Sequence, residues 1–290
     1  MRATEKRRAS FVKLRREWTR SATIHAILFF GGLVFSFPLA WMISTSLKPL
    51  AQTMLFPPQW IPSPVLWRNY LEAVNYIPFF TYARNTVVIA ILGTIGTVIS
   101  SAIVAYGFSR IEWKGRDKIF FLLLATMMVP FPVTMVPMYS VFRALHWIGT
   151  YRPLWIPAWL GASAFNVFLL RQFFMTIPMD LSDAARIDGC SEFGAFWRVI
   201  APLSRPALAV IALFHFLYCW NDFLGPLIYL VNQDTFTLAL GLQFYQSRQN
   251  GTPWNLLMAA STMVVAPVVA LFFLTQRTFI QGITMSGLKG

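Results

Sequence analysis

Asp180 and Asp183 stand three residues apart in the stretch DLSDAARIDGCSEFGAFWRVIAPLSRP, residues 180–206. On a helix that spacing puts two carboxylates on one face. Their oxygens can then hold Mg2+ and, through it, a diphosphate. A single short D-x-x-D often arises by chance, however. The rest of the sequence adds no such chemistry. It has no G-x-x-x-x-G-K-[ST] phosphate loop, no H-E-x-x-H, no G-x-S-x-G and no Cys/His cluster. Neither catalysis nor a resident metal or cofactor is expected. Without a phosphate loop the chain is not expected to bind and hydrolyse ATP alone. Cys190 and Cys219 lack ligand spacing and read as packing residues.

The same stretch reads as an organised loop. It gathers eight ionisable side chains, Cys190 among them, in a chain with only 12% charged residues. Asp180 is placed to cap a helix, with Asp183 in a capping-box-like position. About two turns follow, and Gly189 suits the left-handed residue that ends a helix. A second short helix is expected from Ser191. Phe193, Phe196, Trp197 and Ile200 would form its apolar stripe and anchor it against the neighbouring spans. Pro202 and Pro206 would stop it and start the next span. The first helix offers two small side chains, Ala184 and Ala185, flanked by Asp183, Arg186 and Asp188. A smooth knob ringed by charge can seat in a groove of another protein.

The elements that must hold this loop are apolar. The chain has 290 residues, of which 57% are apolar, with 27 Phe and 11 Trp. A soluble domain carries about 25% charge, so the composition marks a membrane protein. Six apolar runs are long enough to cross, with cores at roughly 22–45, 86–108, 119–141, 153–170, 206–230 and 256–275, the fifth interrupted near its end by Asp222. The shortest, the fourth, covers about 27 Å at the helical rise, just enough for the hydrocarbon core. An all-α polytopic membrane protein with six transmembrane helices is expected. Eighteen of the 24 Lys and Arg fall on the side of the N-terminus. By the positive-inside rule both termini and the 180–206 loop lie in the cytoplasm. The net charge of +13 sits at the ends of the runs, where it meets anionic lipid, so nucleic acid is not expected as a partner. Residues 1–21 form a basic N-terminal segment, and 22–290 the six-helix domain. If the segment is helical, Phe11, Leu14 and Trp18 share one face that suits the membrane surface. The competing reading is a disordered basic tail.

Inside the runs, Gly93, Gly96, Thr97, Ser100, Ser101 and Ala105 recur at spacings of three and four. Small residues on one face allow close helix packing in lipid. Pro130, Pro132 and Pro137 in the third run predict a kinked, bundle-facing span. In the fifth run, Trp220, Asn221 and Asp222 place polar groups near the outer end. They are candidates for lining a wet pathway, or a local cap where the span meets the headgroups.

D-A-A-x-x-x-G followed by V-x-A-P resembles the E-A-A-x-x-x-G-(nine residues)-I-x-L-P loop of permease subunits from binding-protein-dependent ATP-binding-cassette importers. Asp183 matches the Glu, Ala184 and Ala185 the alanines, Gly189 the Gly, and Pro202 the Pro. Asp for Glu and Ala201 for Leu are departures. STSLKP, FPPQWIPSP, LLRQFFMTIP, CWNDFLGPL, WNLLMAAS and QRTFIQGITMSGLKG resemble the carbohydrate-importer branch, and within it the second, six-span permease. The resemblance implies a type I importer permease fold in the cytoplasmic membrane. It implies a second permease, two ATPase subunits holding the ATP and Mg2+, and an external sugar-binding protein as partners. It makes Asp183, Ala184, Ala185, Arg186, Asp188, Gly189 and Pro202 the ATPase-coupling residues. A membrane prenyltransferase-like enzyme and a stand-alone channel are the alternatives. The long outer segments around 55–79 and 231–253 are expected to receive the binding protein.

Overall fold

The computed structural model describes residues 2–161, 163–246 and 251–287, with side chains for 17–161, 163–246 and 251–276. Every regular element among them is helical. The first helices are α1 (Arg2–Ser46), α2 (Arg68–Tyr76), α3 (Phe79–Ser109), α4 (Arg116–Ala125) and α5 (Phe131–Ala144). Next come α6 (Arg152–Trp155), α7 (Ala164–Thr176), α8 (Asp180–Ile187), α9 (Glu192–Ala195) and α10 (Ala201–Leu203). The chain ends with α11 (Arg205–Asn221), α12 (Leu224–Tyr229), α13 (Leu238–Gly241) and α14 (Trp254–Gly287).

Four stretches are long and apolar enough to cross a membrane singly: Glu17–Ser46, Phe79–Ser109, Arg152–Thr176 and Trp254–Gln276. Two bent pairs, Arg116–Met128 with Phe131–Ala144 and Glu192–Leu203 with Arg205–Asn221, bring the number to six if each holds one span. In the second pair only α11 carries the uncharged run. Residues 192–203, with Glu192 and Arg198, belong to the loop before it. The expected 1–21 segment is helical from Arg2 and continuous with the first span. Of its proposed apolar face, Trp18 is exposed, and the side chains of Phe11 and Leu14 lie outside the described residues.

Three spans are less regular than an uncharged run implies. The third turns by 99° where Val129 and Pro130 leave the helical region. The kink is there, but Pro130, Pro132 and Pro137 are exposed in this chain instead of facing its own core. The fourth breaks into α6, a tight turn at Ile156–Leu160 and α7, with Gly161 left-handed at φ 72°. Pro157, inside that turn, lacks the donor that a continuous helix needs. The fifth ends at Asn221, where Asp222 turns extended at ψ 116°.

The chain divides into two compact units, Met1–Leu71 with Pro253–Thr262, and Glu72–Thr252 with Met263–Gly290. In the first, Asn69 is buried and its amide donates to the carbonyls of Ser46 (2.8 Å) and Lys48 (2.9 Å). Asn255 donates to its oxygen at 3.3 Å. The Lys48 ammonium lies 3.8 Å from the Trp41 ring centre.

In the second unit α3 is central, with α7, α11 and the Ile156–Leu160 turn packed on it. Its small residues make this possible. Gly93, Gly96, Thr97, Ser101 and Ala105 are buried. A Cβ on Gly96 would collide with the Trp159 indole, which donates to the Leu92 carbonyl at 3.0 Å. A Cβ on Gly93 would sit 3.2 Å from both Cys219 Sγ and His215 Nε2. The core then fills with Tyr106, Phe108, Phe120, Val167, Leu170, Phe174, Ile211 and, from the loop, Phe196 and Ile200.

Candidate functional site

The 180–206 stretch forms two short helices joined by a sharp turn. Asp180 and Asp183 lie in the first turn of α8 and Arg186 in its last, each matched to the helix dipole. Asp180 is not the cap. That position falls to Met179, no side chain caps the helix, and Asp180 begins it. At the other end Gly189 is left-handed (φ 79°). Its N–H donates to Arg186 O (3.0 Å) and that of Cys190 to Ala185 O (2.9 Å). These are the two bonds of a Schellman ending, so the glycine does what its place in the sequence implies. Ser191 then caps α9, its hydroxyl accepting from Gly194 N–H at 3.2 Å. A π-helical turn follows over Phe196–Ile200. The chain bends by 81° into α11 between Pro202 and Pro206.

The two alanines part company. Ala185 turns inward beside fully buried Ser182, while Ala184 faces out. The outer surface of α8 is a ridge of Leu181, Ala184 and Ile187, at i, i+3 and i+6, with Asp180, Asp183 and Asp188 around it. Ile187 is 86% exposed. The expected stripe also divides. Phe196 and Ile200 enter the core, whereas Phe193 and Trp197 stay outside, edge to face at 6.0 Å.

Ion pairs brace this loop internally, and hydrogen bonds tie it to the end of α3. Arg186 donates to Asp183 Oδ1 and to Glu192 Oε1, both at 2.7 Å, and to the Arg110 carbonyl at 3.3 Å. Tyr106, on α3, donates to the other Glu192 oxygen at 2.8 Å. The hydrogen bond from Arg186 holds the Glu192 carboxyl below the usual carboxylate range, helped by that from Tyr106 and opposed by partial burial. The Arg186 guanidinium is raised in turn, first by its bond to Glu192. Arg110 is buried, and its guanidinium donates to the carbonyls of Phe174, Ile177 (2.6 Å) and Pro178 (3.3 Å). It thereby caps the C-terminal end of α7, whose last carbonyls have no partner in the helix. Arg171, on α7, does the converse, donating to the Phe108 carbonyl of α3 at 3.1 Å. Sequence reasoning missed Tyr106, Arg110, Arg171 and Glu192, since their partners lie up to 86 positions away.

The second candidate group is internally engaged. Trp220 is buried, and its indole donates to Val264 O at 3.1 Å. The exposed Asn221 amide donates to Leu217 O at 2.8 Å. Asp222 accepts from Gly225 N–H at 3.1 Å, tying down the first turn of α12. Among the described residues no three His, Cys, Asp or Glu side chains gather as a metal site.

Comparison with known proteins fits this geometry. Residues 98–285 match the family model described as binding-protein-dependent transport system inner membrane component. The chain is 35% identical to the arabinooligosaccharides transport system permease protein AraQ of Halalkalibacterium halodurans, over 90% of this chain and 94% of that one. It is 34% identical to the sn-glycerol-3-phosphate transport system permease protein UgpE of Yersinia enterocolitica, over 90% and 95%. Its fold matches that in the crystal structure of a bacterial ABC transporter involved in import of the acidic polysaccharide alginate. The TM-score is 0.78 at 22% identity, covering 89% of this chain and 95% of that one.

Proposed function

Because the chain belongs to the binding-protein-dependent transport system inner membrane component family, we propose that it is a permease subunit of an ATP-driven carbohydrate importer. It forms half of the pathway, with a second permease supplying the other half. Two ATPase subunits bind ATP and Mg2+ beneath them, and an external binding protein delivers the sugar. The chain lies in the cytoplasmic membrane with both termini inside. It makes no covalent bond in its substrate. The arabinooligosaccharide relatives support a carbohydrate cargo.

α8 is the part that the ATPase grips. The observation that carries this is the ridge of Leu181, Ala184 and Ile187, presented outward and braced from behind by the Arg186–Glu192–Tyr106 bonds. Asp183 and Asp188 flank the ridge, Ala185 and Arg186 seat the helix, Gly189 sets the turn before α9, and Pro202 lies in α10 just ahead of the bend into α11. ATP binding closes the ATPase dimer and carries the coupling helices together. That shifts the spans only because ATP binds the closed state better. With Asp183 bonded to Arg186, no observation favours the metal-dependent enzyme. The test is ATPase activity of the reconstituted complex with and without sugar-loaded binding protein. Ile187→Glu should abolish the stimulation while leaving membrane insertion intact. Full stimulation in Ile187→Glu, or purification of the chain without an ATPase and a second permease, would refute this role.

A further inference from the structure

A cavity of about 440 Å3 opens where the fourth span is broken. Its wall runs from Thr97 on α3 through Pro157 in the tight turn to Ser163 and Asn166 at the start of α7, and to Phe214 and Tyr218 on α11. All of these belong to one compact unit. Thr97 lies 18 residues from one end of α3 and 12 from the other, so the cavity is near mid-span. Its volume is in the range of small-molecule sites.

Three features describe what fits there. Asn166 is 6% exposed, yet among the described residues its side-chain amide has no hydrogen-bond partner. Only its backbone N–H is spent, on Ser163 Oγ at 3.4 Å. A buried amide that opens onto a cavity offers two donors and an acceptor to whatever enters. Beside it are the rings of Phe165 and Tyr218, which line the same cavity. Finally, no Lys, Arg, Asp or Glu lines the cavity, and the one imidazole on its wall is that of His215, whose buried Nε2 has no hydrogen-bond partner among the described residues. A phosphate or carboxylate taken in here would meet no permanently charged side chain, only an imidazole, and its burial would be costly. Nor can the open side face lipid, since polar groups at this depth need water or protein. Broken helices at mid-span are where transporters place their binding groups.

We propose that this cavity is a subsite for one neutral glycosyl unit of the transported sugar. Asn166 bonds its hydroxyls, and the aromatic rings stack on its apolar face. The assignment rests on the import function proposed above. It narrows the cargo to uncharged carbohydrate, in contrast to glycerol phosphate or a uronate polymer.

The test uses the complete complex with its binding protein in liposomes. The probes are neutral arabino-, malto-, xylo- and cello-oligosaccharides of two to four units, against glycerol 3-phosphate and alginate oligosaccharides. Wild type should import a neutral probe and neither anion. Asn166→Leu, which keeps the shape and removes the polar atoms, should raise the KM for that probe about tenfold, the worth of roughly one buried hydrogen bond. Stimulation of the ATPase by loaded binding protein should persist in this variant. Import of an anionic probe by wild type would overturn the proposal, as would an unchanged KM in Asn166→Leu. The latter is also expected if a helix of the second permease fills the cavity. A wild-type complex that no probe stimulates or crosses would refute carbohydrate import itself, and the subsite with it.

Discussion

Gly189 is a residue whose backbone, more than its side-chain space, decides what can replace it. A Cβ there meets nothing within 4 Å, but φ is 79°. Gly189→Val should therefore cost about 1–2 kcal/mol through strain alone. The chain should insert normally, and stimulation of the ATPase should fall; full stimulation would mean that the turn tolerates a relaxed form. Glu192 makes a second prediction. Its carboxyl is held low by Arg186 and Tyr106. A depressed folded pKa adds stability that is complete above the ordinary value of about 4.3 and is lost as pH falls through the folded one. The difference in thermal stability between wild type and Glu192→Gln should be constant from pH 8 to about 5 and shrink below that. A difference that grows on acidification would contradict the clamp. Gly189 was legible in the sequence because its role is local. The Glu192 partners were not, because Tyr106 reaches it only once α3 is folded.

The elements follow their uncharged runs, and their breaks follow proline and glycine. The 99° turn at Pro130 lies where three prolines cluster. The break in the fourth span was missed, although Pro157 and Gly161 sit inside it. Eighteen uncharged residues read as one span by length, and length says nothing of continuity. α8 shows the same limit on a smaller scale. Ala184 and Ala185 are adjacent in sequence, yet helical spacing sets Ala184 with Leu181 and Ile187 and turns Ala185 inward. Ala184→Trp should then block ATPase association by bulk on the outer ridge. Ala185→Trp should instead destabilise the permease, since its Cβ faces the core. Co-purification of the ATPase and thermal unfolding of the permease separate the two outcomes.

For the whole molecule the first quantity to measure is orientation. With Cys190→Ser and Cys219→Ala as background, Lys114→Cys and Ala184→Cys should react with an impermeant thiol reagent only from the cytoplasm. Trp60→Cys and Gln243→Cys should react only from outside. Labelling of Ala184→Cys in intact cells would invert the topology that the 18 basic residues imply. The arginines that cross between α3 and α7 have a mechanical consequence. Arg110 belongs to the end of α3 by its backbone and to the end of α7 by its guanidinium, while Arg171 is fixed the other way round. This is a spliced joint between two beams. A load applied at α8 enters both, and neither slides past the other without tearing hydrogen bonds on both sides of the splice. The two spans are thereby expected to move as one plank. Compliance is left to the far end of α7, at the tight turn of Ile156–Leu160.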